Sequence, residues 1–295
     1  MAIIRIGSRG SDLALWQANF VKDELIKNGH EVSITIITTK GDAIQHLSFD
    51  KIEGKGFFTK EIEDHLLNNS VDLAVHSHKD LETTQPQGLT IAAVSHRANP
   101  SDVLLIRKER SNLKKKFHLM DSAVVGTSSA RRNVQLRHFR RDVSVKDIRG
   151  NVPTRIQKLR DGKFDAIILA HAGISRLKLD VSDLEIVEMD IKEFVPAPAQ
   201  GVLALQIREN DVELKSILEK LNHSEVATTI SIERNILKGC NGGCQLPLGA
   251  YAEKEENGYG VWVSFAKTVK ELPSQYHFFD TNPDKLVQKV LNHLI

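Results

Sequence analysis

Cys240 and Cys244 are the only cysteines in this 295-residue chain, and both fall in GCNGGCQLPLG (239–249). Metal binding would need a second Cys/His pair at ligand spacing, and the twelve histidines are scattered without one. A structural disulfide is disfavoured by the tiny loop that three intervening residues would close. Two readings stay open. Cys240 is a small apolar residue at a helix end and Cys244 a free thiol, or Cys244 is an attached nucleophile whose neighbours Gly242 and Gly243 leave room for a bulky group.

A second candidate is Asp80 in HSHKDLE (76–82), at the end of an apolar strand. Its carboxylate either caps a turn or, kept ionised by nearby cations, stabilises positive charge and moves protons. His76 and His78 offer alternative bases, and strand alternation would put both on one face. A third signal is cationic. Arg9, Arg131, Arg132, Arg149, Arg155 and Arg176 all follow strands at the expected starts of helices, where the helix dipole disfavours cations and attracts anions. Guanidinium groups there are understandable if carboxylates or phosphates neutralise them. The spacings GxxxxGK[ST] and GxGxxG are absent, so a polycarboxylate outranks a nucleotide.

The elements that must position these residues follow a strand, turn, helix rhythm typical of a parallel sheet flanked by helices. AIIRIG (2–7) leads to the helix 13–26 and the strand 31–38; a loop is expected over 39–56, then the helix 58–69 and the strand 71–77. The rhythm restarts after PSD (100–102) with strands at 123–127, 143–148 and 164–170, each followed by a helix. After the Pro-rich VPAPAQG (195–201), VLALQI (202–207) is one more strand that could return the chain to its first domain. Helices at 211–221 and 226–239 lead into the cysteine loop, and strands near 246–252 and 260–267 with a helix at 284–294 make a small third domain.

Composition sets outer limits. Forty Lys and Arg against 38 Asp and Glu leave a formal charge of +2, too little for a chain that coats nucleic acid through an overall basic field. No apolar run is long enough to span a bilayer. The start MAIIRIGSRG carries Arg5 and Arg9 and no long apolar region, so no secretory leader and a cytoplasmic location are expected.

Taken in order, SRGSDLALWQA, GKGFFTKE, DLAVHSHKD, VGTSSARR, RGNVPTR, PAPAQG and the cysteine loop make the chain resemble the porphobilinogen deaminase family, also called hydroxymethylbilane synthases. The resemblance runs through nearly the whole chain and fades over the last forty or so residues. It implies two similar doubly wound, periplasmic-binding-protein-like α/β domains (1–97 with 197–217, and 98–196) and a small α+β domain (218–295). It implies a transferase of tetrapyrrole biosynthesis that joins four porphobilinogen molecules head to tail, with loss of ammonia, and no metal. Its cofactor would be a dipyrromethane attached by a thioether to Cys244, leaving Cys240 structural. Asp80 takes the catalytic position. Ser77, Lys79, Asp80, Thr127, Ser129, Arg131 and Arg132 match cofactor-holding positions. Arg9, Ser11, Lys55, Phe58, Arg149, Arg155, Arg176 and Gln200 match positions handling substrate. A monomer without nucleic-acid or membrane partners is implied.

His78, Leu81, Glu82, Asp12 and Leu246 depart from the family pattern, and Leu81–Glu82 loosens the turn after Asp80 because a proline would have fixed its φ. Two rivals make different demands. An anion-binding or ligand-sensing protein would not need Cys244. An RNA-binding protein would use the five arginines of ARRNVQLRHFRR (130–141).

Overall fold

The computed structural model describes residues 1–39, 59–243 and 245–295. Contacts divide the chain into two compact units, Met1–Arg97 with Val202–Ala227, and Ala98–Gly201 with Thr228–Ile295.

The first unit is a five-stranded sheet flanked by helices. Its strands are β1 (Ile3–Ser8), β2 (Glu31–Ile36), β3 (Leu73–Ser77), β4 (Leu89–Val94) and β10 (Leu203–Arg208), ordered β2-β1-β3-β10-β4. β1 runs parallel to β2 and β3, whereas β10 is antiparallel to both β3 and β4. Helix α1 (Asp12–Lys27) starts at Ser11, whose hydroxyl accepts the Ala14 N–H, an N-cap that meets one of the helix's unpaired donors. Its residues Ala18, Val21 and Leu25 close over Ile4, Ile6, Leu73, Val75 and Leu205, together with Leu214 and Leu218 of α6 (Val212–Glu219). On the other face Ile62 and Leu66 of α2 (Lys60–Leu67) pack with Val71, Ala74 and Leu89.

The second unit repeats the plan. Strands β5 (Asp102–Arg107), β6 (Val124–Gly126), β7 (Ser144–Lys146), β8 (Ala166–Ala170) and β9 (Leu184–Glu188) take the order β7-β6-β8-β5-β9. Here β6 is parallel to β7 and β8, and β5 is antiparallel to β8 and β9. Helices α3 (Ala130–Phe139), α4 (Val152–Arg160) and α5 (His171–Leu177) follow β6, β7 and β8. Ser129 and Asn151 cap α3 and α4. Helix α7 (Ser224–Gly239), strands β11 (Leu248–Glu255), β12 (Gly258–Phe265) and β13 (Ser274–Asp280), and α8 (Pro283–Leu294) enclose a further core built on Ile232, Ile236, Val261, Val263, Leu286 and Val290.

Both large sheets are mixed rather than parallel throughout. In each, the inserted antiparallel strand is the first one formed after the chain crosses from one unit to the other, β5 after residue 97 and β10 after residue 201. The return of the 202–207 strand to the first sheet agrees with the sequence reading. Strands β4, β5, β9 and β13 were not expected from periodicity. Nor does the alternation argument hold for His78: β3 ends at Ser77, and His78–Asp80 form a 3-10 turn. Both histidines are nonetheless buried.

Candidate active site

In the first unit the site residues collect at the carboxyl ends of β1 and β3, neighbours whose parallel pairing brings those ends to one edge. Arg9 follows β1 and Ser11 caps α1. Ser77 ends β3 and accepts a hydrogen bond from Gln17 Nε2 at 2.8 Å. Lys79 and Asp80 lie in the 3-10 turn that follows. Asp80 is exposed, and among the described residues its carboxylate takes no hydrogen bond. The turn-capping role is therefore not what this carboxylate does. Leu81 is buried and Gln85 Nε2 donates to Glu82 O, so a buried apolar side chain and a side-chain hydrogen bond hold the turn where the family pattern has proline.

A polar chain that sequence reasoning missed runs from buried His76 and Gln206 to part-buried Gln85 and Glu63. His76 Nε2 meets Gln206 Oε1 at 3.1 Å, and Gln206 Nε2 donates to Gln85 Oε1 at 2.8 Å and Glu63 Oε1 at 3.1 Å. Burial lowers the His76 pKa to about 4, against a smaller opposing effect of its bond to Gln206, and burial raises that of Glu63. Gln206 on β10 is the hub, a polar residue in an apolar strand and the one local signal that could have disclosed the network. Lys55, Phe58 and Cys244 lie outside the described residues.

The second unit gathers cations at the corresponding edge. Thr127 and Ser129 follow β6, Arg131 and Arg132 lie in the first turn of α3, Arg149 follows β7, and Arg155 is on α4. Arg176 departs from expectation: it sits in the last turn of the seven-residue α5, and its Nη2 donates to Gly201 O at 2.8 Å. Burial pushes its pKa down to about 10. Gln200 is fully buried, with Nε2 donating to Pro100 O and to Asp102 Oδ1.

Asp102 is the principal residue that the sequence reading missed. It opens β5, and because β5 runs antiparallel to β8 its first residue lies at the edge where β8 ends, opposite Ala170. Its carboxylate is fully buried and pairs with Arg131 and Arg132, each at 2.8 Å. Burial alone would raise its pKa, but the two guanidinium groups hold it well below the usual carboxylate range. The arginines that seemed to require an external anion thus have an internal one, shared between two cations. Of the five arginines of the 130–141 segment, Arg131, Arg132 and Arg140 are buried, the last against Asp142.

The residues present fit a dipyrromethane. Its acid side arms need cations and hydroxyl or amide donors, which this edge supplies, and a Cβ added at Gly243 would meet nothing within 4 Å. At Gly242, by contrast, a Cβ would run into Leu246 and Leu237, so only Gly243 of the pair leaves open space. Cys240 is half-buried against the third core, and burial raises its thiol pKa, as suits a structural cysteine. Among the described residues no group of His, Cys, Asp and Glu could hold a metal ion, and no helix is long and apolar enough to cross a membrane.

The two α/β units share one strand order, the first with an exposed carboxylate at its sheet edge and the second with clustered arginines at its own. The family model described as "Porphobilinogen deaminase, dipyromethane cofactor binding domain" matches residues 4–216. Porphobilinogen deaminase of Nitratiruptor sp. is 43% identical over 86% of this chain and 80% of its own length. That of Chloroherpeton thalassium is 44% identical over 90% and 82%. Among solved structures, the periplasmic VFT2 domain of Bordetella pertussis BvgS is 14% identical with a TM-score of 0.45, covering 78% of this chain and 93% of that one. The chain belongs to the porphobilinogen deaminase family, and is a transferase with that family's dipyrromethane-binding domain.

Proposed function

We propose the following division of labour for hydroxymethylbilane synthesis from porphobilinogen. Cys244 would hold the dipyrromethane through its sulfur, and that group, when bound, would supply the terminal pyrrole carbon from which the chain of four porphobilinogen units is extended. Asp80 is the catalytic group. Its Oδ atoms accept the pyrrole N–H of the incoming substrate and offset the positive charge that develops as ammonia leaves. The same carboxylate takes up and returns protons as each unit is joined. The observation that carries this reading is the Asp80 carboxylate itself, exposed at the edge where β1 and β3 end and without a hydrogen bond among the described residues.

Arg131, Arg132, Thr127, Ser129, Ser77 and Lys79 hold the cofactor's side arms. Arg9, Ser11, Arg149, Arg155, Arg176 and Gln200, with Lys55 and Phe58, receive the acetate and propionate groups of substrate and growing product, for which guanidinium forks are suited. A cytoplasmic monomer with domains at 1–97 with 197–217, 98–196 and 218–295 completes the reading.

Intact mass is the test. Full-length protein from cells that make porphobilinogen should exceed the sequence mass by two pyrrole units, and Cys244→Ser should abolish both the increment and turnover. A wild-type chain of bare sequence mass that releases no hydroxymethylbilane would leave an anion-binding protein without catalysis.

A further inference from the structure

Arg131 and Arg132 are adjacent, buried and paired to one carboxylate, yet they use their donors differently. Arg132 commits the edge formed by Nε and Nη2 to Asp102 Oδ1, at 3.2 and 2.8 Å, and gives Nη1 to Ile168 O at 3.1 Å. Arg131 is bonded through Nη1 alone, to Asp102 Oδ2 and Val195 O, both at 2.8 Å. Its Nε and Nη2 make no hydrogen bond among the described residues. That is the edge with which a guanidinium takes a carboxylate side-on, as Arg160 takes Asp183 elsewhere in this chain.

We propose that Asp102 is a positioning residue of the cofactor site, fixing Arg131 so that its Nε/Nη2 edge stays open to a carboxylate of the dipyrromethane. The inference rests on Arg131 being a cofactor-binding residue. Asp102 is suited to the task by burial and by restraint. It is 0% exposed, its Oδ1 also accepts Gln200 Nε2 at 2.9 Å, and it is the first residue of a central strand. One carboxylate against two guanidinium groups leaves a local charge of about +1, and a buried cation that keeps donors unused favours an anionic ligand over water. Arg132, with its fork already occupied, serves as the other jaw of the bracket. Without the Asp102 charge, Arg131 is free to turn its fork toward the protein, and the two guanidinium groups repel one another.

The experiment follows cofactor loading rather than turnover. Full-length wild type, Asp102→Asn, Asp102→Glu and Arg131→Lys are produced in cells lacking porphobilinogen, checked for folding by thermal melts, and mixed with graded porphobilinogen well below their melting temperatures. The fraction carrying the two-pyrrole increment is read by intact mass. Folded Asp102→Asn should need at least tenfold more porphobilinogen than wild type for half-loading, with Asp102→Glu in between because it restores charge with imperfect reach. A merely structural role predicts that whatever fraction folds also loads normally, and that result overturns the proposal. Should Asp102→Asn fail to fold, Asp102→Glu decides alone: at least a threefold higher requirement supports the proposal, and wild-type loading overturns it. Wild-type loading of Arg131→Lys would overturn the underlying assignment of Arg131, whereas defective Arg131→Lys beside normal Asp102→Asn would overturn the role of Asp102 only.

Discussion

Glu233 offers a prediction whose size follows from its surroundings. It lies in α7, the helix that leads into the cysteine loop, and its side chain is fully buried. Oε2 accepts the Ala199 N–H at 2.6 Å and Oε1 accepts the Ala252 N–H at 2.8 Å. One carboxylate therefore ties α7 both to the Pro-rich segment and to β11. Ala199 has φ 61, a left-handed conformation that an alanine adopts only under restraint. Glu233→Gln conserves shape but replaces one acceptor with an NH2 group facing an N–H donor. The loss comprises one hydrogen bond to a charged acceptor, about 1.5–3 kcal/mol, and one buried unsatisfied donor, about 1–3 kcal/mol; because the two overlap in part, a destabilisation near the lower end of their sum, roughly 3 kcal/mol, is expected.

Urea unfolding can read this change in the second unit. The two tryptophans, Trp16 and Trp262, fall in different units, so a Trp16→Phe background leaves Trp262 of β12 as the reporter. Trp262 pairs with Tyr251 on the strand that Glu233 holds at Ala252. With a urea slope of about 2 kcal/mol/M the midpoint should fall by about 1.5 M. A fall of less than about 0.3 M would refute the clasp, because it corresponds to less than the weakest single hydrogen bond to a charged group.

Asp80→Asn should fold and melt as wild type, since the carboxylate bonds to nothing among the described residues, and steady-state assays should show turnover reduced by at least about 100-fold, a scale set by general acid–base and charge-stabilising roles; near-normal rates would remove Asp80 from the mechanism. His76 makes the first unit acid-sensitive. Its folded pKa of about 4 lies below the ordinary 6.5, so the unfolded chain takes up a proton first and stability is lost as pH falls from 6.5 toward 4, by up to about 1.4 kcal/mol per pH unit. His76→Gln should flatten that slope in Trp16-reported urea melts across pH 7 to 4, and an unchanged slope would assign the acid sensitivity to other groups.

What the sequence determined by itself is local. Apolar periodicity placed β1, α1, β2, β3 and the three strand and helix pairs of the second unit within a few residues, because each element's pattern and cap lie in its own stretch, as with Ser11, Ser129 and Asn151. It also put Arg9, Arg131, Arg132 and Arg149 after strands whose parallel pairing carries them to the sheet edges, but it misplaced Arg176, which lies in the last turn of α5. What only tertiary structure decided is pairing across long separations. The antiparallel insertion of β5 and β10 depends on partners that no local pattern specifies. Asp102 meets Arg131 from 29 residues away and Gln200 from 98, and His76 meets Gln206 from 130. A buried polar side chain reads in sequence like any exposed one. Its meaning comes from the desolvation that burial imposes and from the partners that folding brings within reach.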